Sequence, residues 1–229
     1  MFSRLRSLYG RLLTPGARLL TRLGVTPSAV TVLGTVLVCV LALTLLPAGR
    51  LASGSALILL ALLGDGLDGT MARLSGRETR FGAFLDSTLD RVADAAIFCG
   101  LAWWAFPGRP AVAATALAAL VTGFLVSYAR ARAEAEGWDA SVGLFERTDR
   151  LVVTLAAAFA VGVGAPDGVL VVALGIVAVG SAVTVGQRIG AALRAARAQT
   201  AAATADATSA SVASVAADTT RSRSTPESS

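Results

Sequence analysis

The chain predicts an all-α integral membrane protein, with six transmembrane helices preceded by an N-terminal amphipathic interfacial helix. Three observations carry this. Of 229 residues, 55% are hydrophobic and only 15% charged, the balance of a membrane protein rather than a soluble domain. Apolar runs of spanning length recur near 28–47, 52–74, 82–106, 110–133, 149–164 and 168–189. The basic residues between those runs also fall almost entirely on alternate connections.

Residues 1–25 form the first expected element. Arg4, Arg6, Arg11, Arg18 and Arg22 alternate with Phe2, Leu5, Leu8, Leu12 and Leu13 at helical spacing, interrupted at Thr14-Pro15-Gly16. A signal peptide is the other reading, but the apolar run 30–46 is too long for its core and no small-residue cleavage site follows. The membrane domain is expected over 26–197. Its first span opens on Thr26-Pro27-Ser28, the pattern of an N-cap with Pro just inside the helix. The second span is lipid-like only in its first half. The third is polar along one face until Asp94 and apolar beyond it. Both should therefore turn toward a protein interior or a water-filled cavity at one leaflet. Gly123, Gly162, Gly164, Gly175, Gly180 and Gly186 allow close helix packing in the later spans. The tail 198–229, rich in Ala, Thr and Ser, is expected to be disordered.

Orientation follows from arginine. Beyond the five before the first span, Arg73, Arg77 and Arg80 lie between spans two and three, and Arg130, Arg132, Arg147 and Arg150 between four and five. Arg188, Arg194 and Arg197 follow the sixth, and the opposite side holds only Arg50 and Arg109. The expected topology is a multi-pass plasma-membrane protein with both termini cytoplasmic. All twenty basic residues are arginine, and there is no histidine. That removes Ser-His-Asp and Cys-His catalysis and His-containing metal sites together. Cys39 and Cys99 sit in apolar runs and read as buried free thiols. The net charge of +5 fits an anionic lipid surface, and no aromatic-basic pattern points to nucleic acid.

The chain is organised around 65–90, DGLDGTMARLSGRETRFGAFLDSTLD. Asp65 and Asp68 are three apart, and Asp86 and Asp90 four apart, so on helices each pair shares a face. Carboxylates beside membrane-length apolar segments are costly and mark function unless partnered. The bland alternative pairs them with arginines in a structural network. Two such pairs on neighbouring helices make an oxygen-only cluster, which selects magnesium, manganese or calcium over zinc or copper. Asp94 continues the stripe one turn deeper and is expected to pair with an arginine.

Asp65-x-x-Asp68-Gly69-x-x-Ala72-Arg73, eight residues, then Gly82-x-x-x-Asp86-x-x-x-Asp90 resembles the full signature of the CDP-alcohol phosphotransferases. Each part has a physical reason. Two cations held by carboxylates can neutralise a diphosphate and stabilise both oxygens of a displacement. Gly69 and Gly82 let a nucleotide approach the backbone, and Arg73 can grip a phosphate in bidentate fashion. The resemblance implies that Asp65, Asp68 and Asp86 bind one metal, that Asp86 and Asp90 share a second, and that Asp90 is the general base. It implies two divalent cations, Mg2+ or Mn2+. It also implies contacts of Asp65, Gly69, Arg73, Thr79 and Gly82 with CDP-diacylglycerol. The stretch Ser28-Ala29-Val30-Thr31 matches the family's nucleotide-contacting element, except that Ser28 stands where Asp or Asn is usual.

The signature leaves the acceptor open. The stretches TRFGAFLDSTLDRVADAAIFCGLAWW, YARARAEAEG and LFERTDRLVVTL are similar to actinobacterial phosphatidylinositol phosphate synthases, over roughly residues 1–195. These join CDP-diacylglycerol to inositol 1-phosphate, release CMP, and are homodimers. The resemblance implies an acceptor-phosphate pocket of Arg130, Arg150 and Arg188, with Arg147 and Arg132 as further candidates. Each of these arginines could instead be only a topology determinant. A phosphatidylglycerophosphate synthase using glycerol 3-phosphate would share every signature residue. A cation transporter is the rival of another class. Acidic residues confined to one leaflet, with Arg73 and Arg91 among them, argue against a permeation path.

Overall fold

In a computed structural model of the chain, residues 15–16, 24–64, 71 and 79–222 are described, with 203 and 205–222 described by backbone alone. Six helices follow one another among them: α1 Pro27–Leu45, α2 Leu51–Gly64, α3 Arg80–Ala105, α4 Pro110–Ala135, α5 Arg147–Gly162 and α6 Asp167–Ser222. Each expected span has its helix, beginning within two residues of the expected start. The expected N-terminal helix and the second half of the second span lie outside the described residues, apart from Pro15, Gly16 and Met71. The tail departs from expectation, since α6 runs unbroken to Ser222. Alanine is the best helix former, so an Ala-rich stretch can extend a helix already nucleated by its packed first half.

Among the described residues each helix packs mainly on two others, and the six close into a ring in the order α1, α2, α5, α6, α4, α3. Local chemistry sets the helix starts. Thr26 caps α1 by accepting from the Ala29 amide at 3.3 Å, with Pro27 following, and Thr79 caps α3 by accepting from the Gly82 amide at 2.9 Å. The core inside the ring centres on Ile97, Phe98 and Leu101 of α3, which pack in one buried cluster with Ile58, Leu155 and Leu174. At Gly100 a side chain would run into the backbone carbonyl of Ala42, so α1 and α3 touch there backbone to backbone. Gly162 lies just as close to Ala52, whereas Gly175 and Gly186 face open space.

The outside of the ring is apolar. Leu33, Leu60, Trp103 and Val179 are each about two-thirds exposed, a surface suited to lipid and not to water. Cys99 lies on that exposed surface rather than in the core, which corrects the expectation of a buried thiol. Three segments, Pro27–Leu45, Pro110–Ala135 and Asp167–Ala202, are long and apolar enough to cross a membrane. The chain is thus an integral membrane protein, all-helical over the described residues.

Gly100→Val should clash with the Ala42 carbonyl and cost about 1–3 kcal/mol of stability. Detergent-solubilised protein carrying it should lose its folded size-exclusion peak at lower temperature than the parent, and Gly175→Ala should not.

Candidate active site

The polar end of the ring is built from the first turns of α3 and α5, the last turns of α4, the middle of α6 and the 136–146 connection. Asp86, Asp90 and Asp94 follow one another at four-residue spacing down α3, one carboxylate per turn, the first two half-buried and Asp94 buried. Asp90 receives the Arg147 guanidinium at 2.8 Å on one oxygen and Arg91 at 3.5 Å on the other. Asp94 is met by Arg147 Nε at 2.9 Å and by Arg150 at 3.8 Å. Two arginines of α5 and two carboxylates of α3 thereby alternate in a chain of opposite charges, as the expectation for Asp94 required.

The arginines differ in their surroundings. Arg150 is 2% exposed, with its Nε facing Gly123 of α4, where a Cβ would stand 3.3 Å away. Arg188 is buried and donates to two backbone carbonyls, Val142 at 2.9 Å and Val126 at 2.6 Å. Arg130 is exposed and paired with Glu134 at 2.7 Å, and Arg132 is exposed and paired with Glu136. The 136–146 connection is fastened to α6 by Leu144 N–H on Gln187 at 3.1 Å and Phe145 N–H on Thr184 at 3.1 Å. Within it, Asp139 accepts from the Ser141 hydroxyl and amide, which holds its carboxyl below the usual range.

Asp65, Asp68, Gly69 and Arg73 lie outside the described residues. Among those described, no group of three potential metal ligands occurs, and Asp86 and Asp90 supply two of the four expected. The donors that are present fit a hard divalent cation: two half-buried carboxylates one turn apart, oxygen only. Thr79 and Gly82, expected at the nucleotide, are joined to each other as cap and first turn of α3. Ser28, Ala29, Val30 and Thr31 form the first turns of α1, with the Thr31 hydroxyl donating to the Pro27 carbonyl at 3.1 Å.

The model of the CDP-alcohol phosphatidyltransferase family matches residues 24–213. The chain belongs to that family. Among the relatives of this CDP-alcohol phosphatidyltransferase is the phosphatidylinositol phosphate synthase of Mycobacterium tuberculosis. It is 45% identical over 194 residues, covering 80% of this chain and 87% of the relative. A crystal structure of the M. tuberculosis synthase with CDP-DAG bound superposes with TM-score 0.76 at 43% identity, over 80% of this chain and 94% of that one. A second, in complex with manganese and citrate, gives TM-score 0.76 at 42% identity over 79% and 88%. The CDP-alcohol phosphatidyltransferase fold thus extends over the whole ring of helices.

What sequence reasoning missed is Arg147's position. Its two carboxylate partners are 53 and 57 residues away in the chain, a contact no local spacing reveals.

Asp90→Asn in this phosphotransferase should lower turnover by about 10²–10⁴-fold if Asp90 moves a proton. The folded peak should persist, because Arg147 keeps Asp94 as a partner. A rate within threefold of the parent would remove Asp90 from the chemistry.

Proposed function

We propose that this enzyme transfers the phosphatidyl group of CDP-diacylglycerol to inositol 1-phosphate, yielding phosphatidylinositol phosphate and CMP. The single observation that carries the acceptor is the 45% identity to phosphatidylinositol phosphate synthases over most of both chains. The structure adds a physical reason. A phosphorylated acceptor needs fixed cations, and Arg150 and Arg188 are buried arginines held in place at the mouth that also holds Asp86 and Asp90.

In this reading Asp65, Asp68, Asp86 and Asp90 hold two divalent cations, Mg2+ or Mn2+. Bound there, the ions supply charge neutralisation of the diphosphate and of the leaving oxygen. Gly69, Arg73, Thr79, Gly82 and the 28–31 turn cradle the cytidine diphosphate. Arg188, Arg150 and Arg130 receive the acceptor phosphate, which aims the acceptor hydroxyl at the phosphorus carrying diacylglycerol. The hydroxyl oxygen bonds to that phosphorus, its proton passes to Asp90, and the anhydride P–O bond to CMP breaks. An Asp90 oxygen can accept a proton while paired, since each carboxylate oxygen has two lone pairs.

Arg132 stands two residues from Arg130, on the opposite side of α4, and is assigned to the membrane surface with Glu136. We place six spans in the plasma membrane with both termini and the site cytoplasmic, in line with the arginine distribution, and the amphipathic 1–25 segment on that surface. A homodimer is the proposed assembly. The 26–197 region is taken as the catalytic membrane domain, and 198–222 as a helical extension of α6 outside it.

Purified protein in detergent with CDP-diacylglycerol and Mn2+ should consume radiolabelled inositol 1-phosphate and not glycerol 3-phosphate. The opposite preference would replace the acceptor and leave the reaction class. Excess EDTA should abolish either. Arg188→Ala should raise the KM for inositol phosphate by about tenfold or more, the loss of one charge-assisted phosphate contact of at least 1.4 kcal/mol. The KM for CDP-diacylglycerol should stay within about threefold.

A further inference from the structure

Arg147 is the first residue of α5, and its backbone is fixed from outside the site. The Glu146 amide donates to Asp149 at 3.0 Å, which closes the first turn of the helix. Just ahead, Arg188 holds the Val142 carbonyl, Gln187 and Thr184 take the Leu144 and Phe145 amides, and Gly143 lies against Thr184 with no space for a side chain. The side chain is fixed as firmly. Asp94 Oδ1 takes Arg147 Nε at 2.9 Å, which leaves Nη1 to reach Asp90 Oδ1 at 2.8 Å.

Asp94 itself is 7% exposed, and the crevice beside it, lined by Arg91, Gly123, Ser127 and Arg150, measures about 10 Å³. Among the described residues that is room for one water at most, and the Asp94 carboxylate would repel an acceptor phosphate. Whatever Asp94 contributes must pass through the arginines it holds.

We propose that Arg147, braced by Asp94, is a positioning residue for Asp90. The guanidinium fork holds one oxygen of Asp90 at 2.8 Å and Arg91 meets the other at 3.5 Å, so that the Asp90 carboxylate is restrained in rotation. In this way the Asp90 carboxylate is presented for metal and proton without rotating. The inference rests on the proposed reaction for Asp90's role, and it removes Arg147 from the acceptor-phosphate ligands. It also links two halves of the mouth, because the connection that places Arg147 is held by Arg188 of the proposed acceptor pocket.

Arg147→Lys keeps the charge but cannot hold two carboxylates through a rigid fork. Loss of such an outer partner should lower kcat by about 10–100-fold, with both KM values within about threefold. Mn2+ binding to the substrate-free, detergent-solubilised variant, followed by the EPR signal of free Mn2+, should weaken by about threefold or more. Asp94→Asn retains an acceptor oxygen for Nε and should fall between the parent and Arg147→Lys in both readouts. The double variant should lose no more than Arg147→Lys alone, since both act on one carboxylate.

An acceptor KM that rises while kcat and Mn2+ affinity stay at parental values would make Arg147 a phosphate ligand and overturn the proposal. So would multiplicative losses in the double variant. Should Arg147→Lys not yield folded protein, Asp94→Asn decides alone: parental kcat and parental Mn2+ affinity would sink the idea. A parent protein that transfers no phosphatidyl group to inositol phosphate would instead sink the proposed function, and the Mn2+ titration would still read the positioning role.

Discussion

The ion pairs between α3 and α5 are the constraint on which the polar end of the molecule depends. Asp90 and Asp94 lie among helices whose outer surface is apolar, and a carboxylate there is tolerable only with a fixed counter-charge. Arg147 serves both, and Arg150 stands behind Asp94. Removing one member of such a buried group costs about 3–5 kcal/mol, whereas replacing all of them by apolar residues can be neutral. Stability therefore gives no reason to keep these charges. Their retention at a leaflet edge, beside a second carboxylate at Asp86, is a reason drawn from chemistry.

The ring order explains how the charges meet. α3 sits between α1 and α4, and α5 between α2 and α6, so the two site helices face each other across the ring rather than lying side by side. Apolar side chains such as Ile97, Phe98 and Leu155 fill the space between them at depth, and the carboxylate–guanidinium contacts fill it at the mouth. The helices fall into two groups. α1, α4 and α6 carry the long apolar segments and α2 a shorter one, while α3 and α5 interrupt their hydropathy with the residues of the site. A helix that reads poorly as a span is here one whose polar face is turned inward.

That contrast also marks how far the sequence could be read. Helix positions were legible because apolar runs of fixed length have one reason to exist in a membrane protein, and the stripe Asp86–Asp90–Asp94 because four-residue spacing puts carboxylates on one face. The arginines were not. Arg130 and Arg132 pair with a glutamate four residues on, which spacing allows, but the rest is tertiary: Arg188 holds two carbonyls, Arg147 spans two carboxylates, and Arg150 is buried against Gly123 and Asp94. The hydroxyl of Thr79 was ambiguous in the same way. It sits where a nucleotide contact was expected and serves as a helix cap, since the residue that suits a phosphate oxygen also suits an orphan amide. The helical run of 198–222 was not legible, because composition alone cannot tell an Ala-rich linker from the extension of a packed helix.

The fastening of Arg188 and Arg150 bears on why such a site would use arginine throughout. A lysine offers three donors on one nitrogen at the end of a flexible stem, so a single carbonyl contact leaves the direction of the others unfixed. A guanidinium has five donors in a plane, and two of Arg188's nitrogens can stay on Val142 and Val126 while the rest of the fork points elsewhere. The ordering of the side chain is then complete before any anion arrives, and binding does not have to supply it. The same reasoning applies to Arg147, whose Nε is anchored on Asp94 and whose Nη1 orients Asp90. In each case one end of a rigid cation is tied to the scaffold and the other end is aimed. Arginine is the basic residue at every basic position of the chain, and at Arg188 and Arg147 the fold uses the fork that lysine lacks.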